Sequence, residues 1–315
     1  MQSATICILG GTGFVGRHIA SRLIAQRNRV RIPTRNYERH RDLLVLPGLE
    51  LIETDIFDSD SLRRLFEGAD CVINLVGILN ETQHNGEGFR RVHIDLPRQI
   101  HEACRVAGVP RLLHMSALKA DVASSPSHYL RTKAEGENFL HTFASPAFAV
   151  TSFRPSVIFG PGDSFFNRFA DLLKQVPLVF PLACPDARFA PVYVGDVADR
   201  FVAALHDSAS YRKRYDLCGP RQYTLRQLVD YTAHTLSLKR RIIGLPDAAS
   251  HLQAALLEWF PGKPFSLDNY HSLQIDSVCG QGPIEPTSIE SIVPLYLGNK
   301  SRQDRYDRYR SKARR

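Results

Sequence analysis

The chain has 315 residues, 43% of them apolar, and a formal net charge of +8. That length and composition suit an ordinary globular protein of one large or two smaller domains, and exclude a disordered or low-complexity chain. The charge does not describe a nucleic-acid-binding body: residues 299–315 hold eight basic and two acidic residues, which is six of the eight net positive charges.

No nucleic-acid partner is expected. The basic tail reads as a solvated end, or alternatively as an electrostatic hook for anionic lipid or an acidic partner. The first apolar run begins within a few residues of Met1, leaving no room for a signal peptide, and no run approaches the ~20 residues of a membrane-spanning helix. A cytoplasmic protein, or one peripheral to a membrane, is the expectation. The six cysteines, at 7, 71, 104, 184, 218 and 279, form no C-x-x-C pair and lie at no zinc-like spacing from histidine. They read as small core residues of a reduced compartment, and no metal is expected.

The first predicted strand, 5–9, runs into glycines at 10, 13 and 16 and directly into a helix near 14–26. There Phe14, Val15, Ile19, Leu23 and Ile24 recur at three- and four-residue spacing. Such a turn leaves backbone N–H groups and a helix N-terminus facing outward, which suits a dinucleotide pyrophosphate. Gly10 would permit the tight turn, Gly13 the approach of phosphate to the backbone, and Gly16 the close packing of helix on strand. Thr12, Phe14 and Val15 complete the candidate cradle. A glycine-rich turn also serves as a plain connection, so its weight depends on the strands and side chains that accompany it.

Strands at 29–34 and 49–54 come next, and Asp58 and Ser59 can cap a helix near 60–67. Strand 71–77 is apolar except for Asn74; a helix near 88–107 ends at Gly108, before strand 111–116. A helix through 128–143 and a strand at 148–153 complete the array. Repeated strands joined by helices predict an α/β fold, a Rossmann-type doubly wound parallel sheet with ligand at the strand C-terminal ends. Beyond residue 155 prolines become frequent. The expected division is a dinucleotide-binding domain over 1–159, to which 191–235 adds a strand and helix, and a smaller substrate-side lobe from 160–190 and 236–315. In that lobe Trp259 and residues 260–264 either cap an apolar pocket or belong to the core.

The second strand ends in Thr34-Arg35-Asn36, where an NAD-preferring protein usually places a carboxylate and an NADP-preferring one a cation. Arg35 is a fork-shaped donor suited to a 2′-phosphate, so NADP(H) is preferred over NAD(H); alternatively it is a surface charge. Asp55 after the third strand can accept from the adenine amino group, or act as a loop or cap aspartate. Leu75, Val76 and Gly77 would line the adenosine and ribose side, with Asn74 needing a ligand or a structural hydrogen-bond partner. Ser116 lies just past the fifth strand, and Tyr129 and Lys133 share a face of the next helix. A lysine ammonium near the phenol favours its ionised form. Tyr129 is then a proton donor or acceptor toward a carbonyl or hydroxyl, Lys133 also binds the nicotinamide ribose, and Ser116 orients the substrate oxygen.

Together the glycine turn, Ser116, Tyr129-x-x-x-Lys133 and the stretch from Arg154 to Pro161 resemble the short-chain dehydrogenase/reductase superfamily, in its extended or atypical branch. The likeness covers roughly residues 3–235. Residues 72–80, 114–118, 129–137 and 154–169 look like the subgroup of the NADPH-binding accessory subunit of respiratory complex I and its bacterial relatives. The resemblance implies NADPH at the sheet edge, either for catalysis or as a structural cofactor, and some relatives are linked to quinone biosynthesis. It implies cofactor contacts from Ile56, Pro155 and Val157 as well. Two departures stand out. His93 occupies a place where the superfamily often has asparagine, and would serve a proton relay or bond a backbone carbonyl. The 13-residue gap from Ser116 to Tyr129 is short for a nucleotide-sugar enzyme.

Two functions are compatible with these residues. One is an NADPH-dependent oxidoreductase acting on a carbonyl or hydroxyl carbon of an unidentified small, quinone-related molecule. The other is a non-catalytic NADPH-binding protein whose partner is a respiratory or quinone-synthesis assembly, the dinucleotide stabilising the folded form.

Overall fold

The computed structural model describes residues 3–81, 85–121, 123, 125–260, 264–280 and 284–297. The chain divides into two compact units: residues 1–155 with 194–217, and residues 156–193 with 218–315. The basic tail at 299–315 lies outside the described residues.

The first unit is built on a seven-stranded sheet. Its strands are β1 (Thr5–Leu9), β2 (Arg29–Thr34), β3 (Leu49–Glu53), β4 (Cys71–Asn74), β5 (Arg111–Met115), β6 (Ala149–Pro155) and an edge strand, Arg214–Leu217. Their spatial order is the edge strand, β6, β5, β4, β1, β2, β3, and every pairing is parallel. The order reverses between β1 and β4, which places the ligand crevice of a doubly wound fold outside the C-terminal ends of these two strands. The strands read as continuous apolar runs because helices cover both faces. Under one face, Leu9, Val72, Leu112 and Val150 pack with Leu62, Phe66, Leu96, Ile100 and Leu140 in one buried cluster. Each such side chain contributes roughly 1.5–3 kcal/mol of hydrophobic burial.

Helix boundaries obey local chemistry. Asp58 caps helix Ser59–Phe66 by accepting from the Ser61 amide. Gly108, at φ +70°, ends helix Leu96–Ala107 in the left-handed conformation. The helix expected at 88–107 contains a wide π turn over Arg91–Asp95, between Glu87–Arg90 and Leu96–Ala107. Pro97 accounts for it. Proline has no N–H to give the carbonyl four residues back, and its ring clashes with that carbonyl, which belongs to His93. Gly136, on helix His128–Thr142, accommodates the displaced group: a Cβ there would stand 1.8 Å from the His93 oxygen.

The strand expected at 71–77 stops at Asn74, whose Oδ1 accepts from the Val76 amide and turns the chain out of the ladder. The strand and helix expected from 191–235 are the edge strand and helix Val194–Ala204; residues 218–235 fall in the second unit. That unit packs Leu173, Phe180, Leu182, Leu225, Val229 and Ile242 around helices Phe166–Gln175 and Leu225–Thr235. Helices Asp247–Leu257, Leu267–Leu273 and Ile289–Leu297 complete it.

Two expectations are corrected here. Cys218 and Cys279, 61 residues apart, form a disulfide in the second unit. Only Cys7, Cys71 and Cys104 are buried thiols, with Cys184 half-buried. A pair so distant carries no local spacing signature. Trp259 is neither core nor pocket cap among the described residues, being 81% exposed, and residues 261–263 lie outside them.

Gly136→Ala therefore forces backbone apart at the helix crossing. An unfolding free energy lower by about 2 kcal/mol or more is expected from denaturant titration, whereas an alanine at exposed Gly280, which has open space and no left-handed backbone, should show no such loss.

Candidate functional site

The glycine turn has the geometry of an anion cradle. Gly10 sits at φ +78°, and Gly13 caps helix Phe14–Ala25 in an extended conformation. No side chain caps that terminus and no acidic residue occupies its first turn. The first-turn amides at Phe14, Val15 and Gly16 are the orphan donors of such a terminus. Gly16 allows the tight approach: a Cβ would lie 2.5 Å from Gly11 Cα and 2.6 Å from the Gly10 oxygen. Arg17 holds the turn from below, donating to the Thr12 carbonyl at 2.9 Å and pairing with Asp42.

Arg35 is exposed at the end of β2 and makes no hydrogen bond or ion pair among the described residues. Thr34 Oγ1 accepts from the Asn36 amide, forming a turn that presents Arg35 outward. Asp55 is exposed and accepts from the Phe57 amide at 3.0 Å, which is the loop role, leaving its second oxygen to solvent. Ile56 is half-buried. Asn74 has structural partners on both sides: the Val76 amide and, through Nδ2, the His114 ring at 3.2 Å. Leu75 and Val76 are half-buried and Gly77 is exposed.

Tyr129, Lys133 and Glu137 recur every fourth residue on helix His128–Thr142. Lys133 is 4% exposed, and its ammonium donates to the Met115 carbonyl at 3.0 Å. A Cβ on Gly77 would meet Lys133 Nζ at 3.0 Å, so the missing side chain leaves the lysine head at the end of β4. Burial pushes the Lys133 amine down to about 8, and the Glu137 carboxylate opposes that shift.

Ser116, at the end of β5, is buried and donates its proton to Glu137 Oε2 at 2.6 Å. Glu137 also accepts from Arg154 Nε at 2.9 Å and pairs with Arg214 at 2.8 Å. Toward any substrate Ser116 therefore offers lone pairs, its proton being engaged.

His93, in the π turn, accepts the Ile78 amide at Nε2, 3.2 Å. Its other nitrogen then carries the proton and donates to Thr132 Oγ1 at 3.0 Å, which donates to the His128 carbonyl. The bonded group is an amide N–H rather than the carbonyl expected. Burial first, then Lys133 and His114, push the His93 ring down to about 2. It stays neutral, so it does not relay protons by charging. Its ring stands edge-on to Tyr129, with centroids 5.5 Å apart.

One unit thus gathers Gly10, Thr12, Gly13, Phe14, Val15, Gly16, Arg35, Asp55, Ile56, Leu75, Val76, Gly77, Ser116, Tyr129, Lys133 and Pro155. Val157 lies in the second unit, where its carbonyl accepts the Val192 amide. Sequence reasoning passes over Glu137 and Thr132, whose signal is their spacing: Glu137 continues the Tyr129–Lys133 face, and Thr132 precedes Gly136 by one turn. Among the described residues, no cluster of metal-ligating side chains occurs and no helix is long and apolar enough to cross a membrane.

A parallel seven-stranded sheet, a glycine turn after its first strand and a tyrosine-lysine pair behind its fifth define an extended short-chain dehydrogenase/reductase fold. The chain belongs to the NAD dependent epimerase/dehydratase family, whose model matches residues 6–218. It is 36% identical over 230 residues to the mitochondrial NADH dehydrogenase (ubiquinone) 1 alpha subcomplex subunit 9 of Mus musculus, covering 71% of this chain. The match spans 59% of that relative's length. It is 31% identical over 256 residues to a ceramide reductase of Caulobacter vibrioides, covering 80% of this chain and 77% of the relative. Among solved structures, UDP-glucuronic acid 4-epimerase from Bacillus cereus superposes with a TM-score of 0.66 at 18% identity, over 85% of this chain and 97% of that one. At that identity the likeness speaks for the fold.

The buried lysine makes a pH prediction. Below about pH 8 it is protonated in folded and unfolded chains alike, and the cost of burying the charge is present in full. As pH rises toward the unfolded value of 10.5, the folded chain loses the proton first, the unfolded chain binds more protons, and stability rises. The gain is at most about 3 kcal/mol. Lys133→Met should lack this rise, read as the difference between the two proteins' denaturant unfolding free energies at about pH 7.5 and about pH 10. Parallel profiles would show that Lys133 does not titrate in this window.

Proposed function

We propose that the chain is an NADP(H)-dependent oxidoreductase acting at a carbonyl or hydroxyl carbon of a small molecule. One observation carries the reading: the Lys133 amine is held between the Met115 carbonyl and Gly77, one helical turn from Tyr129. The residues fit a dinucleotide. The uncapped, acid-free start of helix Phe14–Ala25 suits its pyrophosphate, and Arg35, which has no partner among the described residues, suits a 2′-phosphate. When bound, a nicotinamide dinucleotide supplies or accepts hydride.

The chain's own residues handle the proton and the orientation. Tyr129 gives its phenol proton to a carbonyl oxygen in the reducing direction, or takes one from a hydroxyl in the oxidising direction. Lys133, charged below about pH 8, favours the phenolate. Ser116 accepts from the substrate hydroxyl while Glu137 holds its proton.

The alternative is a bound dinucleotide that stabilises a surface for a respiratory or quinone-synthesis assembly. It draws on the relatives named as NADH dehydrogenase subunits and on Ser116 having its proton engaged. Turnover requires release of the spent cofactor, whereas a structural cofactor stays.

Exchange of carried-over dinucleotide against labelled NADPH separates the two. Exchange within seconds supports the enzyme and a screen of ketone, quinone and ceramide-like substrates; retention for hours supports the structural role. Arg35→Asp should weaken NADPH about tenfold or more while leaving NADH nearly unchanged, and equal losses would sink the 2′-phosphate assignment. Tyr129→Phe should keep NADPH affinity and lower kcat by about a hundredfold or more, retained turnover removing Tyr129 from the chemistry.

A further inference from the structure

The connection between helices Leu267–Leu273 and Ile289–Leu297 crosses the second unit with no helix or named strand of its own among the described residues. Near its start Ser277 forms a single parallel bridge to Phe189. The Ser277 amide donates to the Arg188 carbonyl at 2.8 Å, and its carbonyl accepts from the Ala190 amide at 3.1 Å. Ser156 Oγ donates to the same carbonyl at 2.7 Å, and Asp276 Oδ1 accepts the Arg188 amide at 3.0 Å. Farther along, Ile284 bridges Cys218, whose carbonyl accepts the Glu285 amide at 2.8 Å. Val278, Cys279 and Gly280 make no backbone hydrogen bond among the described residues, so the Cys218–Cys279 disulfide is their anchor.

The two sulfurs sit on unequal supports. Cys218 is buried, and Gly219 behind it is wedged against residues 190–192. The Gly219 amide donates to the Ala190 carbonyl at 3.1 Å, and a Cβ there would stand 1.8 Å from the Pro191 oxygen. Cys279 is half-buried, and Gly280 beside it is exposed, with nothing within 4 Å of a Cβ built there. An attacking thiolate therefore has room to reach the Cys279 sulfur. Exposed disulfides are the labile class, whereas enclosed ones resist thiol pools. With the bond broken, Cys218 keeps its place and residues 278–280 lose their anchor. Ser277, two residues away, is then left as an isolated bridge, the kind of sparse contact that opens locally without unfolding its surroundings.

We propose that the Cys218–Cys279 disulfide is a redox latch: its reduction by a dithiol frees residues 278–280 and releases Ser277 from strand Arg188–Phe189, while the helices of the second unit stay folded. A thiolate of the dithiol attacks Cys279 Sγ, the S–S bond breaks, and the Cys218 sulfur leaves and takes up a proton. The dithiol's second thiol then displaces Cys279, which is protonated in turn, and the dithiol closes into its own disulfide. The protein gains two electrons and two protons, and the dithiol loses them. A small-molecule disulfide reverses the exchange and closes the latch.

The full chain is equilibrated with oxidised glutathione, freed of it, and titrated with dithiothreitol without denaturant. Alkylation and peptide mapping then follow each of the six cysteines. Cys218 and Cys279 should become alkylatable together, while buried Cys7, Cys71 and Cys104 stay protected. Amide hydrogen exchange read on peptides covering 274–280 should quicken by about tenfold or more on reduction and return on reoxidation, with helix Leu225–Thr235 unchanged as the reference. Cys279→Ser should show the fast exchange with or without dithiothreitol. Four results overturn the proposal. Six free thiols after oxidised glutathione exclude the bond. Reduction only in denaturant makes it a permanent staple. Equal exchange at 274–280 in both states shows that Ser277 holds the connection unaided. Fast exchange spreading to Leu225–Thr235 shows that the bond supports the whole unit.

Discussion

The first unit depends on one buried carboxylate. Glu137 has no solvent exposure, yet it receives the Ser116 hydroxyl at the end of β5, Arg154 from β6 and Arg214 from the edge strand. A carboxylate in such surroundings is tolerable only when paired and hydrogen-bonded, and removing one partner from such a group typically costs about 3–5 kcal/mol. The network therefore fixes helix His128–Thr142 against three adjacent parallel strands. Tyr129 and Lys133 ride on the same face of that helix, so the position of the candidate chemistry is set by a residue eight positions away that need not touch a substrate.

A second constraint sets the helix from its other side. Pro97 withholds an amide from the His93 carbonyl, the helix widens over Arg91–Asp95, and Gly136 gives the freed carbonyl room. The widening turns His93 inward to hold the Ile78 amide just after Gly77. One helix is thus pinned by a proline-driven carbonyl and by an ion network. Both converge on the place where Gly77 admits the lysine head.

Much of this is legible in the chain. Five-residue apolar runs between helical periods define the parallel sheet, and the glycines at 10, 13 and 16 fall where the turn, the cap and the close packing require them. Those features are local, and local geometry is written in short spacings. What stays hidden is long-range. Cys218 and Cys279 meet across 61 residues without a spacing motif. Arg214 joins Glu137 from a strand 77 positions later, and nothing near Ser116 announces that its proton is engaged. The π turn lies between these cases: Pro97 inside a helical period is the visible sign, but the displaced carbonyl makes sense only with Gly136 opposite it. Trp259 departs from expectation because an apolar residue at helical spacing defaults to the core, and only the fold shows which stripe faces out.

The electrostatics bear on the choice between catalytic and structural readings. A site that moves protons needs a group whose charge changes near working pH. His93 is held neutral by burial and by the neighbouring Lys133 charge, and Ser116 is committed to Glu137. Lys133 alone in this group is pushed toward physiological pH, to about 8. Burial without Glu137 would drive the amine lower still, and exposure would return it toward 10.5. A side chain that only filled this space would gain nothing from being an amine opposed by a carboxylate one turn away, since an apolar side chain of similar length would do so at lower cost. The balance between desolvation and Glu137 therefore favours a lysine retained for its charge, beside a tyrosine whose proton it can influence.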